Sequence, residues 1–253
     1  MSDHSTNQER TEEYLKKFDR EKTLKYLIKD TQPIIFDVGA NVGSTLAEFK
    51  DWWPGSTVHC FEPQEECWES LDIQGSQYAN NEAVINKYAV GSVSNVNATF
   101  YSHDITSGQS GFNKINTKSL DSVHLNKLSD SDEVQKYEET LNHEREVKIV
   151  RLDEYMGFAG IEQVDLLKID TQGYEPEVLE GFGRRLNDVD VVITELMFYD
   201  YYERSLSFSD IERFLHPAGF HLYDINHIAK NPMNGRTDWV DVIYVNKRLR
   251  TRN

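Results

Sequence analysis

One segment constrains the fold of this chain more than any other: Pro33 to Gly43, which reads Pro-Ile-Ile-Phe-Asp-Val-Gly-Ala-Asn-Val-Gly. A short apolar run ends in Asp37, and two glycines then precede a stretch that is compatible with a helix. This order predicts a β-strand, a tight turn and a helix, as in α/β folds. Dinucleotide-binding turns share this geometry, but Asn41 stands where they need a second glycine close to the pyrophosphate.

A carboxylate follows the turn at a distance that is typical of nucleoside sites. The predicted strand Thr57 to Phe61 ends at Glu62 and Pro63. In nucleotide-binding α/β folds, an acid about 20 residues beyond the glycine turn accepts hydrogen bonds from the ribose hydroxyls. The turn and Glu62 together therefore predict a nucleoside ligand without a pyrophosphate, for example S-adenosylmethionine. A structural turn followed by a surface acid is the alternative.

The order of the remaining segments predicts a parallel, doubly wound sheet. A helix over about 64–72 leads to a third predicted strand, Ala83 to Val90. Ligands of such sheets bind at the carboxyl ends of the strands, so Ala89 is placed where an adenine would lie. The segments Phe220–Ile225 and Trp239–Val245 predict an antiparallel hairpin that closes the sheet.

Two later strands also end in carboxylates. The buried run Val164–Ile169 ends at Asp170, and Val191–Thr194 ends at Glu195. Because the carboxyl ends of parallel strands meet at one edge, we expect these acids to lie beside Asp37 and Glu62. A carboxylate there is suited to removing a proton or, in a pair, to binding a hard cation such as Mg²⁺. A purely structural role is the alternative for Glu195.

Composition limits the partners. The chain of 253 residues carries 27 Lys+Arg against 43 Asp+Glu, a formal charge of -16, which disfavours nucleic acid and anionic membranes. It contains no apolar run near the ~18 residues of a membrane span, and its first residues lack the order of a signal peptide, so we expect a cytoplasmic protein. Cys60 and Cys67 are too few for a disulfide scaffold and lack metal-site spacing.

The predicted organisation is an N-terminal helical extension over residues 1–30, with residues 1 to about 10 frayed, and one domain over 31–253. A polar insertion at about 117–143 interrupts this domain. It would either cover the strand ends or form an arm that contacts a second copy in a homodimer. The small-residue loop 106–111 predicts a lip that binds an acceptor or, equally, a plain connection.

Taken together, these segments resemble the FkbM family of S-adenosylmethionine-dependent methyltransferases. The matching motifs are Phe36–Gly43, Phe61–Pro63, Ala89–Gly91, Leu152–Asp153, Lys168–Glu175 and Val178–Gly181. The resemblance implies a Rossmann-like class I methyltransferase fold. It also implies O-methylation of a hydroxyl group on a sugar, a glycan or a secondary metabolite, so carbohydrate modification is one expected activity.

The resemblance and the strand-end positions assign the site residues. The predicted cofactor-binding residues are Asp37, Gly39, Ala40, Asn41, Gly43, Ser44, Glu62, Pro63, Ala89 and Asp170. Asp170 and Glu195 are the predicted catalytic residues and, if Mg²⁺ takes part, its predicted ligands. An NAD-dependent oxidoreductase and a non-catalytic nucleoside-binding or scaffold domain of the same fold are the alternatives.

Overall fold

The computed structural model describes residues 6–79, 82–104, 106–119, 121 and 131–250. The helices are α1 (Asn7–Lys17), α2 (Arg20–Leu27), α3 (Ser44–Trp52), α4 (Glu65–Gly75), α5 (Ser131–Glu138), α6 (Leu152–Ala159), α7 (Glu175–Phe182), α8 (Phe208–Leu215) and α9 (Lys247–Arg250). The strands are β1 (Ile34–Val38), β2 (Thr57–Phe61), β3 (Ala83–Asn86), β4 (Ala89–Val90), β5 (Val96–Ser102), β6 (His143–Val150), β7 (Val164–Ile169), β8 (Val189–Met197), β9 (Phe220–Lys230) and β10 (Thr237–Asn246).

The main sheet of the described chain has the strand order β3-β2-β1-β7-β8-β10-β9. The strands from β3 to β8 in this order pair in parallel, whereas β10 pairs antiparallel with both β8 and β9. The predicted doubly wound sheet with a C-terminal antiparallel hairpin is therefore confirmed. The order reverses between β1 and β7, so the carboxyl ends of these two strands flank the crevice where such sheets bind ligands.

The predicted strand Ala83–Val90 is wrong, because the chain changes sheets within it. β3 ends at Asn86 in the main sheet, whereas β4 begins at Ala89 and joins a smaller sheet of order β4-β6-β5. The Asn86 side-chain amide donates to the carbonyl of Cys60, 3.1 Å away, at the end of the pairing between β2 and β3. An apolar run does not show where a strand changes its pairing partner.

Capping side chains set the starts of two helices. α1 begins at Asn7 within the segment predicted to be frayed, because the Thr6 side chain accepts a hydrogen bond from the backbone of Glu9. Ser207 and Asp210 form a capping box at the start of α8. The predicted insertion lies partly outside the described residues, at 120 and 122–130. Its helix α5 packs Tyr137 against Tyr201 and Tyr202.

One face of the main sheet changes from apolar to charged toward the carboxyl ends of its parallel strands. Alternate residues on this face are Ile35 then Asp37 on β1, Leu166 then Lys168 on β7, Val191, Ile193 then Glu195 on β8, and Val245, Ile243 then Asp241 on β10. The apolar members pack with α2 and α3 in one hydrophobic cluster. The charged members lie beyond that cluster, where α2 begins at Arg20.

Two expectations from composition can be compared with the structure. Cys60 and Cys67 are both buried free thiols. Among the described residues, no helix has both the length and the apolar character that a membrane span requires.

Candidate active site

The turn after β1 brings three strand ends together. The backbone N–H groups of Gly39 and Ala40 both donate to the carbonyl of Phe61 at the end of β2. Gly39 has φ +82, and a Cβ atom there would lie 1.9 Å from the carbonyl oxygen of Asp170. Glycine is therefore required where the end of β1 touches the end of β7.

Glu62 ties this turn to the end of β2. Its buried carboxylate accepts hydrogen bonds from the backbone N–H groups of Asn41 and Gln64, both at 2.8 Å. Burial raises the pKa of Glu62, and these two N–H groups oppose that effect. Each carboxylate oxygen has a second lone pair, so Glu62 can still accept from a ligand.

A cleft of about 590 Å³ lies over the turn, and we call it the turn cleft. Its lining includes the predicted residues Gly39, Asn41, Glu62, Pro63, Ala89 and Asp170, together with Val38, Phe61, Gln64, Val90, Phe100, Ser107, Gly108, Ser110, Phe112, Thr171 and Gln172. The loop 106–111, predicted as an acceptor-binding lip or a plain connection, contributes Ser107, Gly108 and Ser110 to this lining.

Four predicted cofactor-binding residues lie outside this lining. Asp37 is fully buried, and its carboxylate lies 3.2 Å from the ammonium of Lys168. Ala40 is buried in the core, and a Cβ atom on Gly43 would lie 3.1 Å from side chains of α4. Ser44 is the exposed first residue of α3. Direct contact of these four with a cofactor stays a prediction.

A second cavity, of about 510 Å³, lies across β7 from the turn cleft, and we call it the acid pocket. Its lining is Arg20, Thr45, Lys168, Ile169, Asp170, Ile193, Thr194, Glu195, Trp239 and Asp241. Asp170 lines both cavities. The two predicted catalytic carboxylates, Asp170 and Glu195, are thus placed in one pocket.

Polar neighbours fix the position of Asp170. The Gln172 side-chain amide donates to Asp170 Oδ1 at 2.7 Å, and the ammonium of Lys168 lies 3.5 Å from Oδ2. Burial by itself would lower the pKa of Lys168, but the carboxylates of Asp37 and Asp170 raise it above its ordinary value. Lys168 therefore stays protonated and places a positive charge beside Asp170.

Glu195 lies opposite Asp241 in the register of β8 and β10. Burial raises the pKa of Glu195 to about 9, and the charges of Asp170 and Asp241 raise it in the same direction. Burial also raises the pKa of Asp241. At neutral pH the Glu195 carboxyl group is therefore protonated and can donate a hydrogen bond.

The predicted Mg²⁺ site gains no support. Within the part of the chain that the structure describes, no group of three or more His, Cys, Asp or Glu side chains is placed to hold a metal ion.

Sequence reasoning missed three residues of the acid pocket: Arg20, Trp239 and Asp241. The alternation in β10 contained a signal, since Trp239 and Asp241 are two positions apart and so share one face of the strand. Arg20 gave no signal, because its place in the pocket depends on how α2 packs on the sheet.

Comparisons with known proteins agree with this geometry. The sequence matches the family model of the methyltransferase FkbM domain over residues 37–222. It is 25% identical over 184 residues to the 2-O-methyltransferase NoeI of Sinorhizobium fredii, covering 71% of this chain and 70% of that protein. It is 29% identical over 154 residues to the 31-O-demethyl-FK506 methyltransferase FkbM of Streptomyces tacrolimicus, covering 58% of each.

A solved structure shows the same fold. The crystal structure of the methyltransferase FkbM from Methylobacillus flagellatus KT superposes with a TM-score of 0.51 and 12% identity, covering 85% of this chain and 44% of that chain. This likeness confirms the predicted class I methyltransferase fold. Because the family model covers more than half of the sequence, the chain belongs to the FkbM family of S-adenosylmethionine-dependent methyltransferases.

Proposed function

We propose that this protein transfers a methyl group from S-adenosylmethionine, bound in the turn cleft, to a hydroxyl group of an acceptor bound in the acid pocket. One observation carries the proposal: Asp170 lines both cavities. Group transfer requires the two reactants to meet in a fixed orientation. A carboxylate on the shared wall lies where that meeting would occur.

The turn cleft fits the cofactor. Gly39 presents no side chain to it, Glu62 keeps lone pairs for ribose hydroxyls, and Ala89 and Val90 offer a small apolar surface to the adenine. When bound, S-adenosylmethionine supplies a methyl group that its sulfonium has already activated. The protein therefore has to align the acceptor and to remove one proton.

Asp170 is the residue placed to take that proton. Methylation of an acceptor hydroxyl group releases its proton, and the carboxylate of Asp170 would accept that proton. The Lys168 ammonium lies 3.5 Å from Oδ2 of Asp170 and places a positive charge beside this carboxylate. The protonated carboxyl of Glu195 donates a hydrogen bond to an acceptor oxygen and so orients it.

The acid pocket suits an acceptor rich in hydroxyl groups. It presents hydrogen-bond donors from Arg20 and Glu195, acceptors from Asp170 and Asp241, and the ring of Trp239. The names of both relatives specify methylation of oxygen. We therefore place the acceptor among sugars, glycans and secondary-metabolite alcohols.

Arg20 is an acceptor contact in this proposal. Its Nε atom is buried and has no hydrogen-bond partner among the residues that the structure describes. Nη2 of the guanidinium lies 3.6 Å from Oε2 of Glu48. The Nε–H group is therefore left to donate a hydrogen bond to a bound molecule. An unsatisfied buried donor is costly, so an acceptor oxygen placed here would gain affinity.

The test measures cofactor binding by titration calorimetry and formation of S-adenosylhomocysteine with a panel of methyl pyranosides and macrolide alcohols. We expect S-adenosylmethionine to bind and one acceptor class to be turned over. Asp170→Asn should lower kcat by about 100-fold or more, within the range for general base catalysis. Asp72→Asn on the exposed side of α4 is the control. Binding of NAD in place of S-adenosylmethionine, or wild-type rates in Asp170→Asn, would contradict the proposal.

A further inference from the structure

Tyr202 is a buried side chain in the segment 198–207 between β8 and α8, and sequence reasoning gave it no role. Its hydroxyl oxygen lies 2.9 Å from the carbonyl oxygen of Gln109 and 2.7 Å from Oε1 of Gln172. One hydroxyl proton is therefore shared between two acceptors that are far apart in the sequence.

These two acceptors belong to different walls of the turn cleft. Gln109 lies in the loop that supplies Ser107, Gly108 and Ser110, and Gln172 lies in the turn that follows β7. We call Ser107, Gly108 and Ser110 the loop wall, and Asp170, Thr171 and Gln172 the β7 wall. Tyr202 bridges these two walls from outside the cleft.

The two walls are also in close contact beside this bridge. A Cβ atom on Gly111 would lie 3.2 Å from the carbonyl oxygen of Thr171, and the side-chain amide of Asn113 donates to the carbonyl of Gln172 at 3.1 Å. The loop wall and the β7 wall are therefore packed directly against each other beside Tyr202.

The side chain of Gln172 carries the bridge to Asp170. Its oxygen end accepts from Tyr202, so its nitrogen end must face Asp170, to which it donates at 2.7 Å. The backbone of Gln172 has φ +57, a conformation that a non-glycine residue keeps only when its surroundings enforce it. Glu175 supplies part of that enforcement, because its Oε1 accepts from the backbone N–H of Thr171.

We propose that Tyr202 is a positioning residue that latches the loop wall to the β7 wall, and thereby sets the width of the turn cleft and the orientation of Asp170. This role rests on the proposed function, because it assumes that the turn cleft binds S-adenosylmethionine. The hydroxyl acts through Gln109 and Gln172 and does not line the cleft itself.

Tyr202→Phe removes one oxygen atom and keeps the ring in its cluster with Ile115, Tyr137 and Leu141. We expect this variant to bind S-adenosylmethionine and S-adenosylhomocysteine about 10-fold more weakly, because the two walls of the turn cleft lose the hydroxyl that joins them. Titration calorimetry measures this without any acceptor.

Tyr201→Phe is a matched control. Tyr201 is equally buried and belongs to the same cluster, and its hydroxyl lies 3.4 Å from that of Tyr137. Loss of a buried tyrosine hydroxyl should lower the melting temperature in both variants, but only Tyr202→Phe should lower cofactor affinity.

A double variant tests whether Tyr202 acts through Gln172. Once Gln172→Ala has removed the β7 end of the latch, adding Tyr202→Phe should weaken binding by less than about 2-fold. Wild-type affinity in Tyr202→Phe, or full additivity with Gln172→Ala, would overturn the latch while leaving the proposed function intact. A wild-type protein that bound neither S-adenosylmethionine nor S-adenosylhomocysteine would overturn both.

Discussion

Replacing Gly39 with alanine tests whether close contact between the ends of β1 and β7 determines the site. The added Cβ atom would meet the carbonyl oxygen of Asp170 at 1.9 Å. Non-bonded carbon and oxygen atoms do not approach closer than about 3 Å, so the two strand ends must separate by about 1 Å. The backbone of Asp170 is held in place, since its N–H donates to the carbonyl of Val38 at 3.0 Å.

The expected cost has two parts. An L-residue in the left-handed region costs about 1–2 kcal/mol, and overpacking a close contact costs about 1–3 kcal/mol. The sum, about 2–5 kcal/mol, should lower the melting temperature by roughly 4–20 °C in a chain of this size. Urea denaturation and thermal scans followed by circular dichroism measure both quantities.

Gly157→Ala is the matched control, because it makes the same chemical change inside α6. Gly157 is exposed, and a Cβ atom there would have no neighbour within 4 Å. Alanine is the better helix former, so this variant should gain up to about 1 kcal/mol. A Gly39→Ala protein that is as stable as Gly157→Ala would refute the steric argument. Cofactor affinity should also fall only in Gly39→Ala, because Gly39 lines the turn cleft.

Three further predictions concern single side chains. Lys50 is almost fully buried and donates to the carbonyls of Pro54 and Ser56 and to Glu82, so Lys50→Met should lower the free energy of unfolding, measured in urea, by about 2–4 kcal/mol. A loss below about 1 kcal/mol would show that these hydrogen bonds do not stabilise the fold. The pKa of Glu195 is about 9 in the folded state against an ordinary 4.5, so the folded protein holds a proton that the unfolded chain releases, and the free energy of unfolding falls as the pH rises from about 5 to 9. The melting temperature of Glu195→Gln should fall less over this range, and an equal fall in the variant and the wild type would contradict the raised pKa. Arg20→Gln should raise the KM for the acceptor about 10-fold and leave cofactor affinity unchanged, whereas Lys22→Gln, at an exposed position on the same helix, should leave the KM unchanged. An unchanged KM in Arg20→Gln would contradict the proposed contact between Arg20 and the acceptor.

The strand-end acids show what the sequence could predict. Each of Asp37, Glu62, Asp170 and Glu195 closes or follows an apolar run, and a parallel sheet brings such ends to one edge. The alternation of strands and helices specifies that topology, so the edge could be inferred without coordinates. The side to which each carboxylate points could not be inferred. Asp37 faces Lys168 within the sheet, whereas Glu62 faces the turn cleft.

The remaining residues depend on contacts between distant segments. Arg20 enters the acid pocket only because α2 packs over β8 and β10, and Asp241 meets Glu195 only through the antiparallel register of β10. Tyr202 meets Gln109, which ends a short 3-10 helix, and Gln172, which lies in the turn after β7. Periodicity reports burial within one segment and carries no information on which distant segment lies opposite.

The two cavities draw on different parts of the chain. Every residue that lines the turn cleft lies between Val38 and Gln172, inside the segment that matches the family, whereas the acid pocket also takes Arg20 from before that segment and Trp239 and Asp241 from after it. Under the proposed function, substitutions in the flanking segments would change which alcohol is accepted while the residues proposed to bind the methyl donor stay the same. Acceptor preference would then be separable, along this sequence, from retention of the donor.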